Sequence, residues 1–236
     1  MHKIMVLNAK GGCGKTTIAT TLACFFAGQG YSTALMDFDP QHSSYQWLKI
    51  RSPEEPPIKA IDGVRTATGV TRSWQLYSGA ETDVVIIDTP AGITGGKLTD
   101  LFHKADTILV PVMPSIIDLL AMRGFLDELG RLRNRGHQKK RVGIIANRVT
   151  AGNQSKDAIK RLSDGADLPL IAVLRDTQNY STAMASGLGI SELNPGMTTM
   201  DREHWGPILD WLKQEIPGTP GKPASSSRAR WPFAVA

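Results

Sequence analysis

Residues 9–17 read AKGGCGKTT. Three glycines, Gly11, Gly12 and Gly14, are followed at once by Lys15 and by the hydroxyls of Thr16 and Thr17. Glycine lets successive backbone N–H groups turn inward and form a nest for an anion. A helix starting beside Lys15 would add its N-terminal dipole. Lys15 would then reach the β- and γ-phosphates of a nucleotide, and the Thr16 hydroxyl would be placed to ligate Mg²⁺. The run follows the phosphate-loop spacing GxxxxGK[ST] except at its first position, where Ala9 stands in place of glycine. A Gly-rich turn before a helix is the plainer alternative, and the GKTT ending argues against it. The candidate nucleotide-binding residues are Gly11, Gly12, Cys13, Gly14, Lys15, Thr16 and Thr17. A second lysine, Lys10, stands five positions before Lys15. It has no easy reach to a phosphate that Lys15 already holds, but it could reach a nucleotide in a facing subunit.

Carboxylates form the second group. Asp37 and Asp39 occur in MDFDPQ, and Asp88 closes VVIID just before Thr89 and Pro90. Asp88 has the placement of a residue that holds Mg²⁺ through water. Asp39 could orient an attacking water. Either Asp37 or Asp39 could instead cap a turn at the DPQ segment.

Short apolar runs place these groups. Residues 3–8, 32–36, 83–88, 107–112, 141–147 and 169–174 read as buried strands. Residues 16–29, 118–133 and 156–162 read as helices between them. Such alternation predicts an α/β fold, a doubly wound and mainly parallel sheet with helices on both faces. Ligands of such sheets sit beyond the carboxyl ends of the strands. The residues just after each run are therefore the ones that matter. Residues 58–80 give weak signals, with a short strand or helix expected. One domain is expected over 1–217, followed by a flexible Pro- and Ser-rich tail over 218–236.

Composition narrows the function class. The chain has 236 residues, of which 41% are hydrophobic and 21% charged, so disorder of the whole is excluded. No apolar run approaches the length of a membrane span. The first residues are too short an apolar stretch for a signal peptide, so a cytoplasmic protein is expected. Cys13 and Cys24 are too few for a disulfide framework or a four-cysteine zinc site. The net charge of +5 suits a polyanion without requiring one.

Taken together, KGGxGKTT, DxDPQ and DTPAG resemble the deviant Walker A ATPases of the ParA/MinD family. Two further segments, VPVMPSIIDLLA at 110–121 and SSYQWLKIR at 43–51, resemble the small ParA proteins that carry no helix-turn-helix before the phosphate loop. The resemblance covers about residues 1–216. It implies a P-loop NTPase fold and an ATPase using ATP and Mg²⁺. Lys10, Lys15 and Asp39 are the catalytic residues it implies, with Thr16, Asp39 and Asp88 around the metal and Asn147 against the adenine. It also implies a homodimer that forms on ATP binding, non-specific DNA as a partner, and a ParB-like or cargo-adaptor protein that stimulates hydrolysis. A nucleoid-associated location and a cargo such as a plasmid, chromosome or protein body follow from the same likeness. Arg175, Arg202 and Lys213 are the expected DNA-binding residues, with solvated surface charge as the alternative for each. Trp205 and Trp211 are expected in the core or at a partner contact.

The competing reading is a MinD-like membrane ATPase, which needs a C-terminal amphipathic helix. Pro217, Pro220, Pro223 and Pro232 break any such helix. A metal-cluster carrier would need bridging cysteines, and Cys13 and Cys24 are not placed for that. Lys10 and the DPQ segment argue against a small-molecule kinase or synthetase.

Overall fold

Five-residue apolar segments with no polar alternation are stable only when both of their faces are covered. Here the runs Thr33–Asp37, Val84–Asp88 and Thr107–Val112 are buried along their whole length. The computed structural model describes residues 1–66, 82–135, 140–152, 155, 157–158, 161 and 168–216. Within these, seven strands make one sheet in the order β3-β2-β4-β1-β5-β6-β7. The elements follow in sequence as β1 (His2–Val6), α1 (Lys15–Gly28), β2 (Thr33–Asp37), α2 (Ser43–Ile50), β3 (Ile58–Asp62) and the short α3 (Gly63–Thr66). They continue as β4 (Val84–Asp88), α4 (Gly95–Lys104), β5 (Thr107–Val112), α5 (Ile116–Arg135), β6 (Arg141–Val149), β7 (Leu170–Arg175), α6 (Gln178–Ala185) and α7 (Pro195–Lys213). Every strand pair is parallel. This is the doubly wound P-loop NTPase fold.

Alternate residues of the central strands feed two separate cores. Ile4, Val6, Ile86 and Leu109 pack with α1 and α7 on one face. Met5, Leu7, Ile87, Ile108 and Val110 pack with α4 and α5 on the other. Helix α1 is buried around most of its circumference, including Ile18, Leu22, Phe25 and Phe26. It therefore fixes the phosphate loop at its N-terminus to the centre of the molecule. Trp205 is fully buried in the α1–α7 core and donates from Nε1 to the Tyr180 hydroxyl at 3.0 Å. Trp211 stacks under the Arg141 guanidinium, 4.0 Å from the ring centroid.

Some boundaries differ from the sequence expectation. Strand β6 runs on to Val149, two residues beyond the expected end at Asn147. Arg175 is the last residue of β7 rather than the first beyond it. The weak region opens with β3 and α3, while residues 67–81, most of the predicted helix over 156–162 and the tail from 217 onward lie outside the described residues.

Candidate functional site

Register brings the acidic residues to one row. Asp88 is the Cα partner of Val6 in β1 and of Asp37 in β2. The strand that feeds the phosphate loop thus ends beside both carboxylates. Thr89 donates from its hydroxyl to the Val6 carbonyl at 2.8 Å, and Phe38 N–H donates to the Asp88 carbonyl at 2.9 Å, which ties the three strand ends together.

The loop itself is held from behind. Asn8 donates to the Pro111 carbonyl at 2.6 Å and accepts from the Lys10 N–H at 2.7 Å. Gly14 caps α1 with φ 94°, a left-handed conformation costly for any residue with a Cβ. A Cβ there would also lie 2.2 Å from Nδ2 of Asn147. That same Nδ2 donates to the Cys13 carbonyl at 2.8 Å. Asn147, expected against an adenine, thus stands behind the loop in this structure and braces it. Lys15 bends over the loop and donates to the Lys10 carbonyl at 2.9 Å. Cys13 is buried and its thiol lies 3.3 Å from the same carbonyl. Burial pushes the Cys13 pKa up, and the side chain packs inside the loop.

Asp37 and Asp39 divide their work. Asp37 is buried and accepts from the N–H of Asp39 at 2.8 Å and of Tyr45 at 3.0 Å, an anchor for the start of α2. Asp39 lies further out and accepts from Gln41 N–H at 2.9 Å. The turn role foreseen as an alternative is thus real for both, and Asp39 remains the more open of the two.

Asp88 is fully buried, and among the described residues neither of its oxygens has a hydrogen-bond partner. Burial pushes its pKa up to about 7, and neighbouring Asp37 adds to the rise. The hydroxyls of Thr16 and Ser44 and the charge of Lys15 pull the other way, but neither hydroxyl completes a well-formed hydrogen bond. A buried carboxylate with no donor is costly unless a cation covers it. Among the described residues no cluster of three or more His, Cys, Asp or Glu could hold a metal on its own. The orphaned Asp88 beside Thr16 fits a cation that brings phosphate oxygens with it, as a magnesium nucleotide does.

The arginines expected to bind DNA are placed differently. Arg202 is 5% exposed and donates to the Thr198 hydroxyl at 3.0 Å and to the carbonyls of Ser191 at 2.6 Å and Leu193 at 3.1 Å. It closes the loop before α7 and does not face solvent, which corrects the expectation. Arg175 makes a two-pronged pair with Asp201, at 2.5 and 3.0 Å, and Asp201 also accepts from Asn179 at 2.7 Å. Its charge is largely neutralised where it stands. Lys213 sits with Nζ 5.5 Å from the Phe25 ring centroid, a cation–π contact.

Sequence reasoning missed two pairs. Lys10 forms an ion pair with Asp118 in the first turn of α5. Arg51 is buried and paired with Glu192, with Nη2 2.6 Å from Oε1 and Nη1 2.8 Å from Oε2. Asp118 and Arg51 fall in the segments that resembled small ParA proteins, and that was the only signal available.

Comparison with known proteins agrees with this fold. Residues 4–190 match the family model for the CobQ/CobB/MinD/ParA nucleotide-binding domain. The chain is 26% identical over 194 residues to the maintenance of carboxysome distribution protein A of Halothiobacillus neapolitanus, covering 80% of this chain and 87% of that one. The structure of apo McdA from Cyanothece superposes with a TM-score of 0.70 at 19% identity, over 90% of this chain and 99% of that one. An ATP complex of a Cyanothece McdA variant gives 0.67 at 20% identity, over 89% and 96%. The chain belongs to the CobQ/CobB/MinD/ParA family, and within it is an ATPase of the ParA/MinD type. No helix among the described residues is long and apolar enough to cross a membrane.

Proposed function

We propose that this ATPase pairs into an ATP-sandwich dimer, binds DNA without sequence preference, and positions a cargo until an adaptor protein stimulates hydrolysis. The observation that carries this reading is the division of labour between the two loop lysines. Lys15 folds over its own loop, whereas the Lys10 side chain turns away from it toward α5. A lysine on a phosphate loop that does not serve its own phosphates is suited to those of a neighbour. Thr16 and, through water, Asp88 would hold Mg²⁺, with Asp39 at its edge; the ion would neutralise phosphate charge. Asp39 is open enough to orient a water. Asn147 would reach adenine only from its seat behind the loop. A protein body is the cargo favoured by the likeness to a carboxysome-distribution protein, and the nucleoid is the expected location. The basic balance supports a DNA track.

Sedimentation with ATP, ADP or neither tests the dimer, using Asp39→Ala to slow turnover. ATP should dimerise Asp39→Ala and leave Lys10→Ala monomeric although it still binds nucleotide. An Asp39→Ala protein that stays monomeric with ATP and Mg²⁺ overturns the sandwich.

A further inference from the structure

Lys10 is already occupied in this structure. Its ammonium pairs with the Asp118 carboxylate, and their side chains are 36% and 12% exposed. Both partners are mounted on one corner of the fold. Asn8 fixes the Lys10 backbone and is itself bonded to Pro111 in β5, the strand that leads into α5. The Ser115 hydroxyl accepts from the Asp118 N–H at 3.1 Å and sets the first turn of α5. The helix N-terminus adds a positive field that favours an ionised carboxylate at Asp118. The pair is therefore assembled without any second subunit.

We propose that Asp118 is a positioning residue that holds Lys10 within its own subunit and so sets the nucleotide threshold for dimerisation. This rests on the sandwich reading above. A lysine bound to Asp118 has to leave it before it serves a facing nucleotide. Each dimer breaks two such pairs. Removing the carboxylate lowers that barrier twice while leaving the loop in place. A partly exposed ion pair is worth roughly three- to fourfold in an equilibrium, so two give about tenfold. A residue needed only for folding acts in the opposite direction, because its loss weakens assembly.

The test measures the dimerisation constant by analytical ultracentrifugation with a non-hydrolysable ATP analogue and Mg²⁺. Asp118→Asn keeps the shape and removes the charge, and Asp118→Ser is a second variant. Both should dimerise about tenfold more tightly than wild type, while Asp118→Glu stays near wild type. The gap should shrink at high salt, as screening weakens the pair in the wild type. Unchanged or weaker dimerisation in Asp118→Asn and Asp118→Ser overturns the proposal while the sandwich stands. A wild-type protein that never dimerises with the analogue overturns the sandwich reading itself.

Discussion

At Asp88 the fold works against its own charge. The carboxyl is buried beside Asp37, and its pKa is raised to about 7 chiefly by burial. In the unfolded chain the same group ionises near 4. Between these values the folded state binds more protons, so stability falls as pH rises from about 4 to about 7 and then levels off. The slope is at most about 1.4 kcal/mol per pH unit. Asp88→Asn lacks this titration. Without nucleotide, its melting temperature should exceed that of wild type by a margin that widens between pH 5 and pH 8. Calorimetry across that range checks it, and a constant margin would mean that Asp88 is ionised throughout. Magnesium with ADP should narrow the margin at pH 8, because the ionised carboxylate then has a cation to face.

Helix α2 is held to the far side of the fold by one arginine. Arg51 follows its last turn and reaches Glu192, the Gly187 carbonyl at 3.1 Å, and the Pro56 carbonyl at 3.1 Å from Nη2. Gly187 has φ 67°, and a Cβ there would lie 2.6 Å from the Arg51 backbone nitrogen, so the two segments are in close contact. Replacing Arg51 with Met strands the Glu192 carboxylate and should cost about 3–5 kcal/mol. Adding Glu192→Leu should recover a large share of it. Urea unfolding of the single and double variants measures both. The same pair shows what a sequence conceals. The phosphate loop and Asp88 were legible because each is a contiguous run at the end of an apolar strand, where the fold class alone fixes its place. Arg51 was visible as part of a motif, but its partner lies 141 residues away and only the chain path joins them. Arg202 was misread for a related reason. A charged residue on an amphipathic helix reads as surface, and only the returning loop at Ser191 and Leu193 supplies the carbonyls that bury it.

For the molecule as a whole the net charge is +5. If that excess meets DNA through about three to five phosphates, log affinity should fall with log salt at a slope of roughly −3 to −5. Mobility shifts across salt concentrations with ATP and with ADP measure it, and equal binding in both nucleotide states would detach DNA from the ATP cycle. Arg202→Ala should register as a lower melting temperature, since its guanidinium supports the fold. The strand order has a consequence for how the protein is made. β1 leaves the ribosome ahead of both of its partners, β4 and β5. Translation at about 5–20 residues per second leaves it unpaired for several seconds or longer, until Asp88 has been added and β4 can join it. The nascent chain thus carries the bare apolar segment KIMVL, with the phosphate loop attached, until β4 emerges. A trigger-factor-type chaperone should crosslink to stalled chains ending before β4 and release those extending well past β5.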